Sequence, residues 1–224
     1  MANYIKETKG RFGERVIIEY DEYAGTIVKK IYYKKSFFPL IDGTIDYIEE
    51  YDKETGQILR QIYYKKSFFP RSEATINYIL EYDKDTDVAV KKIFYQSDGK
   101  TINVIYEGHK YTGFTVKETK YRTNGTIEYI NEYDIDTKKL VKKTGYLFDG
   151  KTIHVIIEHD KVIGSPVKMT KYLSDGKTII YEFELFRFFI QLLILKLLFK
   201  TKKLIDNFIS FQTKEILFSF KKSV

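Results

Sequence analysis

The chain has no cysteine and no tryptophan, and only three prolines in 224 residues. Without cysteine there is no disulfide framework and no thiolate metal site, which fits a reducing interior. Glycine and tyrosine are missing from one region only: nothing after residue 181 is either, whereas nine of the seventeen phenylalanines lie beyond that point. The first ten residues contain no apolar run of signal-peptide length, so no export signal is read and a cytoplasmic or membrane-peripheral location is expected. Charge is not one-sided. The net +7 divides into +4 over residues 182–224 and +3 over the much longer remainder, so basic residues are not gathered into a nucleic-acid footprint.

What is present is repetition. The stretch TIDYIEEYDKETGQILRQIYY, residues 44–64, is written in six versions. Its glutamate recurs as Glu19, Glu50, Glu81, Glu107, Glu132 and Glu158, each followed ten residues later by Lys29, Arg60, Lys91, Lys117, Lys142 or Lys168. An isoleucine stands two residues before each glutamate and a tyrosine fourteen after it. Even offsets share one face of a strand, so the unit is a β-hairpin. Folded about Thr55, it places Glu50 opposite Arg60, Ile48 opposite Ile62 and Asp46 opposite Tyr64, with a three-residue loop Glu54-Thr55-Gly56. Gly25, Gly56, Gly113 and Gly164 fill the left-handed slot of that loop, replaced by Asp87 and Lys138 in two units. The preceding Asp21, Asp52, Asp83, Asp134 and Asp160 open the turn.

Between hairpins stand Asp42-Gly43, Asp98-Gly99, Asn124-Gly125, Asp149-Gly150 and Asp175-Gly176, again tight-turn signals. Tight connections throughout predict a mainly β fold over residues 1–181: an antiparallel meander of tandem hairpins, 25–31 residues each, with about 14 strands spanning roughly 65 Å if left open. Residues 5–9, IKETK, echo residues 116–120, VKETK, so the chain begins in mid-repeat, as a half-unit edge strand or as part of a longer reading frame. Ile45, Tyr47, Tyr51 and Leu59 recur as Ile127, Tyr129, Tyr133 and Val141 and mark a second patterned face. The Glu–base pairs contribute about 0.2 to 1 kcal/mol each, against about 1.5 to 3 for a buried isoleucine, so the apolar columns hold the sheet and the charges set its register.

Two features are candidates for contact with partners. IYYKKSFFP occurs at residues 31–39 and 62–70, and Phe37, Phe38, Phe68 and Phe69 form either an apolar contact patch or a cover over one end of the sheet; the cover is favoured about two to one. Residues 182–224 form a second region, a C-terminal amphipathic α-helical tail. Lys196, Lys200, Lys203 and Asn207 recur at helical spacing, opposite Ile194, Leu197, Leu198, Leu204, Ile205 and Phe208. Arg187, Gln191 and Lys196 keep its apolar run too short to span a bilayer. The tail reads as a cap on the last strand, a membrane-surface helix, or frameshifted text, since the seventh unit begins at Thr178 and loses its EYD.

Catalytic groupings are not found. Asp83–Asp87 opens like a calcium loop but lacks the glycine and distal carboxylate, so turn-forming acids are favoured about nine to one. His154 and His159 are an odd number apart, His109 and His159 occupy drifting columns, each ladder glutamate faces a base, and Ser36 and Ser67 have no matched histidine. The expectation is no enzyme, no cofactor and no metal. The favoured function is a repeat scaffold that binds an unknown protein; the alternatives are a peripheral membrane protein held by the tail, and a truncated or frameshifted fragment of a repeat family. Self-association through the sheet edges is a further option, and nucleic acid is disfavoured.

The unit TIDYIEEYDKETG, with KKIFYQSDGKTI closing a later copy, resembles the tandem repeat of a family of unknown function known from phytoplasmas. The resemblance covers most of residues 13–181, with units four and six departing from EYD as YEGH and EHD. It implies a source and brings no catalytic residues.

Overall fold

A computed structural model describes residues 3–11, 13–34, 44–65, 74–184 and 210. They form one antiparallel sheet of fourteen strands whose spatial order is the order of the sequence. The strands are β1 (Tyr4–Lys9), β2 (Arg15–Tyr20), β3 (Ile27–Tyr33), β4 (Ile45–Tyr51), β5 (Ile58–Tyr64), β6 (Ile76–Tyr82) and β7 (Ala89–Tyr95), followed by β8 (Ile102–Gly108), β9 (Thr115–Tyr121), β10 (Ile127–Tyr133), β11 (Leu140–Tyr146), β12 (Ile153–His159), β13 (Pro166–Tyr172) and β14 (Ile179–Glu184). The sheet is open, with β1 and β14 at its edges. Substantial packing joins only strands adjacent in sequence, so each hairpin rests on the one before it and the one after.

All six glutamates lie opposite the base ten residues on. The bases also face the next hairpin's glutamate, Lys29 opposite Glu50 and Arg60 opposite Glu81, so acid and base alternate across the sheet. Side chains close the pair between Glu50 and Arg60, between Glu81 and Lys91 at 3.3 Å, Glu107 and Lys117 at 3.0 Å, and Glu132 and Lys142 at 3.8 Å. The two outer hairpins differ. Glu19 accepts a hydrogen bond from the Asn3 amide at 2.8 Å, and Lys168 turns away from Glu158 to Glu182 on β14 at 3.1 Å.

Beside this ladder runs the apolar column. Ile17, Ile31, Ile48, Ile62, Ile79, Ile93 and Ile105 stand opposite one another in turn, and the column continues as Thr119, Ile130, Thr144, Ile156 and Thr170. Ile48, Ile62, Ile79 and Ile93 form the buried cluster, flanked by Tyr64 and Tyr95. β-Branched residues suit this position because their stiff side chains pack side by side on a pleated surface.

The turns correct the expected loop. The EYD turn holds four residues, Lys53–Gly56, closed by Asp52 N–H to the Gln57 carbonyl and Gly56 N–H to the Asp52 carbonyl, both 2.8 Å. Tyr51 then faces Ile58 and Glu50 faces Arg60, so Leu59 is an extra residue, a bulge that restores the register. Every ladder except β1–β2 carries such a shift. Asp46 is itself a bulge residue between Ile45 and Tyr47, so the expected Asp46–Tyr64 pair does not form. The same bulge moves Ile45 across the sheet: it packs against the isoleucine cluster and not with Tyr47 and Tyr51. The left-handed slot is real in all six units, with Asp87 at φ 56° and Lys138 at φ 59° where the others have glycine.

Candidate functional site

The expected contact residues Phe37, Phe38, Phe68 and Phe69, and the tail residues Lys196, Leu197, Leu198, Lys200, Lys203, Leu204, Ile205 and Phe208, lie outside the described residues. The features that can be described are on the face opposite the isoleucines. There, Tyr32, Tyr47, Tyr63, Tyr78 and Phe94 stand opposite one another on β3 to β7. Their rings form a ladder with centroid spacings of 4.2, 5.4, 4.5 and 5.5 Å, the first three stacked and the last tilted. Tyr106 on β8 closes it edge-on to Phe94 at 6.0 Å. The half-buried rings stay in register because the strand spacing of about 4.8 Å matches the offset stacking distance of aromatic pairs.

Under this ladder lies Glu49, buried at 8% exposure. Its carboxylate accepts hydrogen bonds from the hydroxyls of Tyr51 at 2.5 Å and Tyr32 at 3.0 Å, and from Gln61 Nε2 at 2.9 Å. Gln61 Oε1 in turn accepts from Tyr82 at 2.7 Å and Tyr63 at 3.1 Å. Burial, then the hydrogen bond to Glu49 and its negative charge, push the Tyr32 and Tyr51 hydroxyls far above the usual phenol range. Burial and neighbouring phenols push Tyr63 up to about 12. The motif recurs on β9 and β10, where Glu118 accepts from Tyr133 at 2.9 Å, Tyr129 at 3.1 Å and Asn131 Nδ2 at 3.1 Å. Tyr129 and Tyr133 are pushed up to about 12, by burial first and Glu118 second. Sequence reasoning found Tyr47 and Tyr51 but passed over Glu49 between them. Period-2 spacing is its signal: a carboxylate flanked at i−2 and i+2 by tyrosines shares their face.

At the sheet end formed by the inter-hairpin turns, side chains climb from one turn to the next. Lys34 Nζ donates to the Lys65 carbonyl at 3.0 Å, Lys65 Nζ to that of Gln96 at 2.6 Å, Gln96 Nε2 to that of Arg122 at 3.0 Å, and Arg122 to that of Tyr146 at 2.8 Å. Lys65, Gln96 and Arg122 border an open groove of about 750 Å³ that also includes Asn77, Asn103 and Lys120. Its cations are engaged with the protein itself, Lys120 with Asn103 at 2.6 Å.

Asp83 is a turn residue: Oδ1 accepts the N–H groups of Asp85 and Thr86 at 3.0 and 3.1 Å, and Lys110 lies 2.6 Å from Asp85. His154 is a bulge residue, and His159 sits 3.1 Å from the Gly164 carbonyl within its own turn, so the two do not converge. His109 contacts Thr112 in the equivalent turn. Among the described residues no group of three or more His, Cys, Asp or Glu is placed to hold a metal ion, and no helix is long and apolar enough to cross a membrane.

A single sheet built by repetition of one hairpin defines a tandem-repeat β-meander protein. The model of a family described as "Protein of unknown function (DUF2963)" matches residues 41–67, 71–120, 109–145, 121–170 and 146–185, and the chain belongs to that family. No curated protein matches it. Among solved structures it is similar to a complex of an S. aureus TarM mutant with fondaparinux, alpha-GlcNAc-glycerol and UDP (8% identity, 67% of this chain and 21% of that one, TM-score 0.31). Others are a GtfA/B complex bound to UDP and GlcNAc (19%, 59% and 29%, 0.35) and a porin-like protein from Bacteroides uniformis (15%, 80% and 56%, 0.27). The chain spans less than a third of the first two, and scores at this level carry nothing about activity.

Proposed function

We propose that the sheet is a non-catalytic scaffold that binds another protein through the tyrosine face of β3 to β8. The observation that carries this reading is the continuous ladder from Tyr32 to Phe94, with Glu49 and Gln61 holding its hydroxyls. Tyrosine offers a large, amphipathic contact area with few rotatable bonds, and here those bonds are already fixed, so little entropy remains to be lost on binding. Aromatic side chains are also those enriched where binding energy concentrates. The repeat extends this surface over consecutive strands.

The test is quantitative capture from lysate with the full chain, comparing it with Tyr47→Ser/Tyr63→Ser on this face and Lys91→Ala on the other. A partner retained by the wild type and Lys91→Ala, and lost with the double tyrosine variant at unchanged circular dichroism, supports the reading. A partner that ignores the tyrosine substitutions, or turnover of a captured ligand, overturns it.

A further inference from the structure

The isoleucine column ends in a carboxylate at both edges of the sheet, and the two ends reach that state by different departures from the repeat. In the interior, every strand places Ile or Thr in this column. On β14 the substitution is direct: Glu182 stands opposite Thr170 where earlier strands of this type have isoleucine. On β1 it is made by register. The β9–β10 ladder follows its turn with a bulge, which sets Thr119 opposite Ile130 and Lys117 opposite Glu132. The β1–β2 ladder has a turn of the same kind, Gly10 N–H to the Glu14 carbonyl at 2.8 Å, but no bulge. β1 therefore runs one residue out of step. Glu7 faces Ile17, where the repeat register would bring Thr8, and every β1 side chain is on the face opposite to that of its counterpart in β9.

Each of the two glutamates is tied to its neighbour strand. Arg15 grips Glu7 through two hydrogen bonds, Nε to Oε1 at 3.1 Å and a terminal nitrogen to Oε2 at 3.2 Å. Lys168 leaves Glu158 to hold Glu182 at 3.1 Å. A carboxylate in an apolar column must be desolvated before another strand can lie against it, and charges pointing inward at sheet edges are a known protection against edge-to-edge joining.

We propose that Glu7 and Glu182 hold this sheet to a single copy, and that the partner they exclude is a second copy of this chain, its β1 added to β14. The match is one of strand type. In the interior, a strand of the VKETK type always follows an acid-carrying strand, and the IKETK of β1 is the segment of that type that would follow β14, but the missing bulge turns Lys6 off the base column and leaves Glu7 to meet Glu182 in the isoleucine column. This rests on the isoleucine face and is independent of what the tyrosine face binds.

The experiment measures mass by light scattering behind gel filtration for the full chain, for Glu7→Ile/Glu182→Ile, and for Glu54→Ile, which adds the same apolar group at an exposed turn. The double variant is expected to form linear multimers at a concentration about tenfold or more below that at which the wild type or Glu54→Ile associates. Should the double variant misfold, Glu7→Gln/Glu182→Gln removes the charge at constant shape and is expected to associate in the same direction. A folded edge variant that stays monomeric, a wild type that already forms end-to-end multimers, or equal association by Glu54→Ile overturns the proposal.

Discussion

Replacing Glu49 tests how the tyrosine face is held. The carboxylate receives three hydrogen bonds, from Tyr51, Gln61 and Tyr32, and is buried beneath the rings that make them. Hydrogen bonds to a charged group contribute about 1.5 to 3 kcal/mol each when no water can replace them. The tyrosine hydroxyls border solvent and can turn to water, so about 1 kcal/mol per bond is the appropriate scale. Glu49→Ala should therefore destabilise the sheet by about 3 kcal/mol in urea unfolding, with an unchanged denaturant slope. Glu49→Gln keeps the shape and one acceptor oxygen but turns an N–H toward Gln61, and should cost about 1 to 1.5 kcal/mol. In a double-mutant cycle, Glu49→Ala with Tyr51→Phe should return a coupling of about 1 to 2 kcal/mol. Removing the negative charge should also lower the pKa values of Tyr32 and Tyr51, since Glu49 helps to raise both. An alanine variant within about 0.5 kcal/mol of wild type, or a glutamine variant as unstable as alanine, would refute the reasoning.

Further predictions follow from the column, the turns and the phenols. Ile79→Ala, at the centre of the buried cluster, should cost about 2 to 3 kcal/mol in the same unfolding assay, the low end for a core truncation because among the described residues the column is packed within one sheet layer and not between two. Lys138→Gly should stabilise by about 0.5 to 1 kcal/mol, because the φ of 59° strains a lysine and suits glycine; a lower thermal midpoint would contradict this. At alkaline pH, Tyr63, Tyr129 and Tyr133 ionise near 12 in the folded sheet and near 10 when unfolded. The folded form binds more protons in that window, so stability should be intact below about 10 and fall as pH rises to about 12; tyrosinate absorbance appearing wholly near 10 with circular dichroism unchanged would disprove it. At acid pH the turn carboxylates act oppositely. The Thr101, Thr152 and Thr178 hydroxyls, and then backbone N–H groups, lower Asp98, Asp149 and Asp175 to about 2, so their contribution is present above about 4 and lost as pH falls toward 2. Asp149→Asn should weaken that acid dependence by lowering stability at neutral pH and leaving it unchanged at about pH 2, with the turn still closed as Asn124 closes its own inter-hairpin turn through Oδ1 to Thr126.

The residues alone determined the hairpin, the meander and the facing of Glu50 and Arg60, because strand periodicity and turn chemistry are local and each copy repeats the same constraint. They also marked the left-handed turn slot, even where Asp87 and Lys138 fill it. Tertiary structure decided whatever depends on a shift of one residue. The bulges at Asp46 and Leu59 carry Ile45 across the sheet and lengthen the EYD turn to four residues, while the missing bulge beside β1 turns Glu7 onto the isoleucine face. A bulge changes face by one residue and leaves composition and spacing untouched, so only the formed ladder reveals it. The burial of Glu49 belongs to the same class: its position in the pattern is local, but the three donors that stabilise a carboxylate under tyrosine rings come from β3, β4 and β5 and meet only when the strands pair.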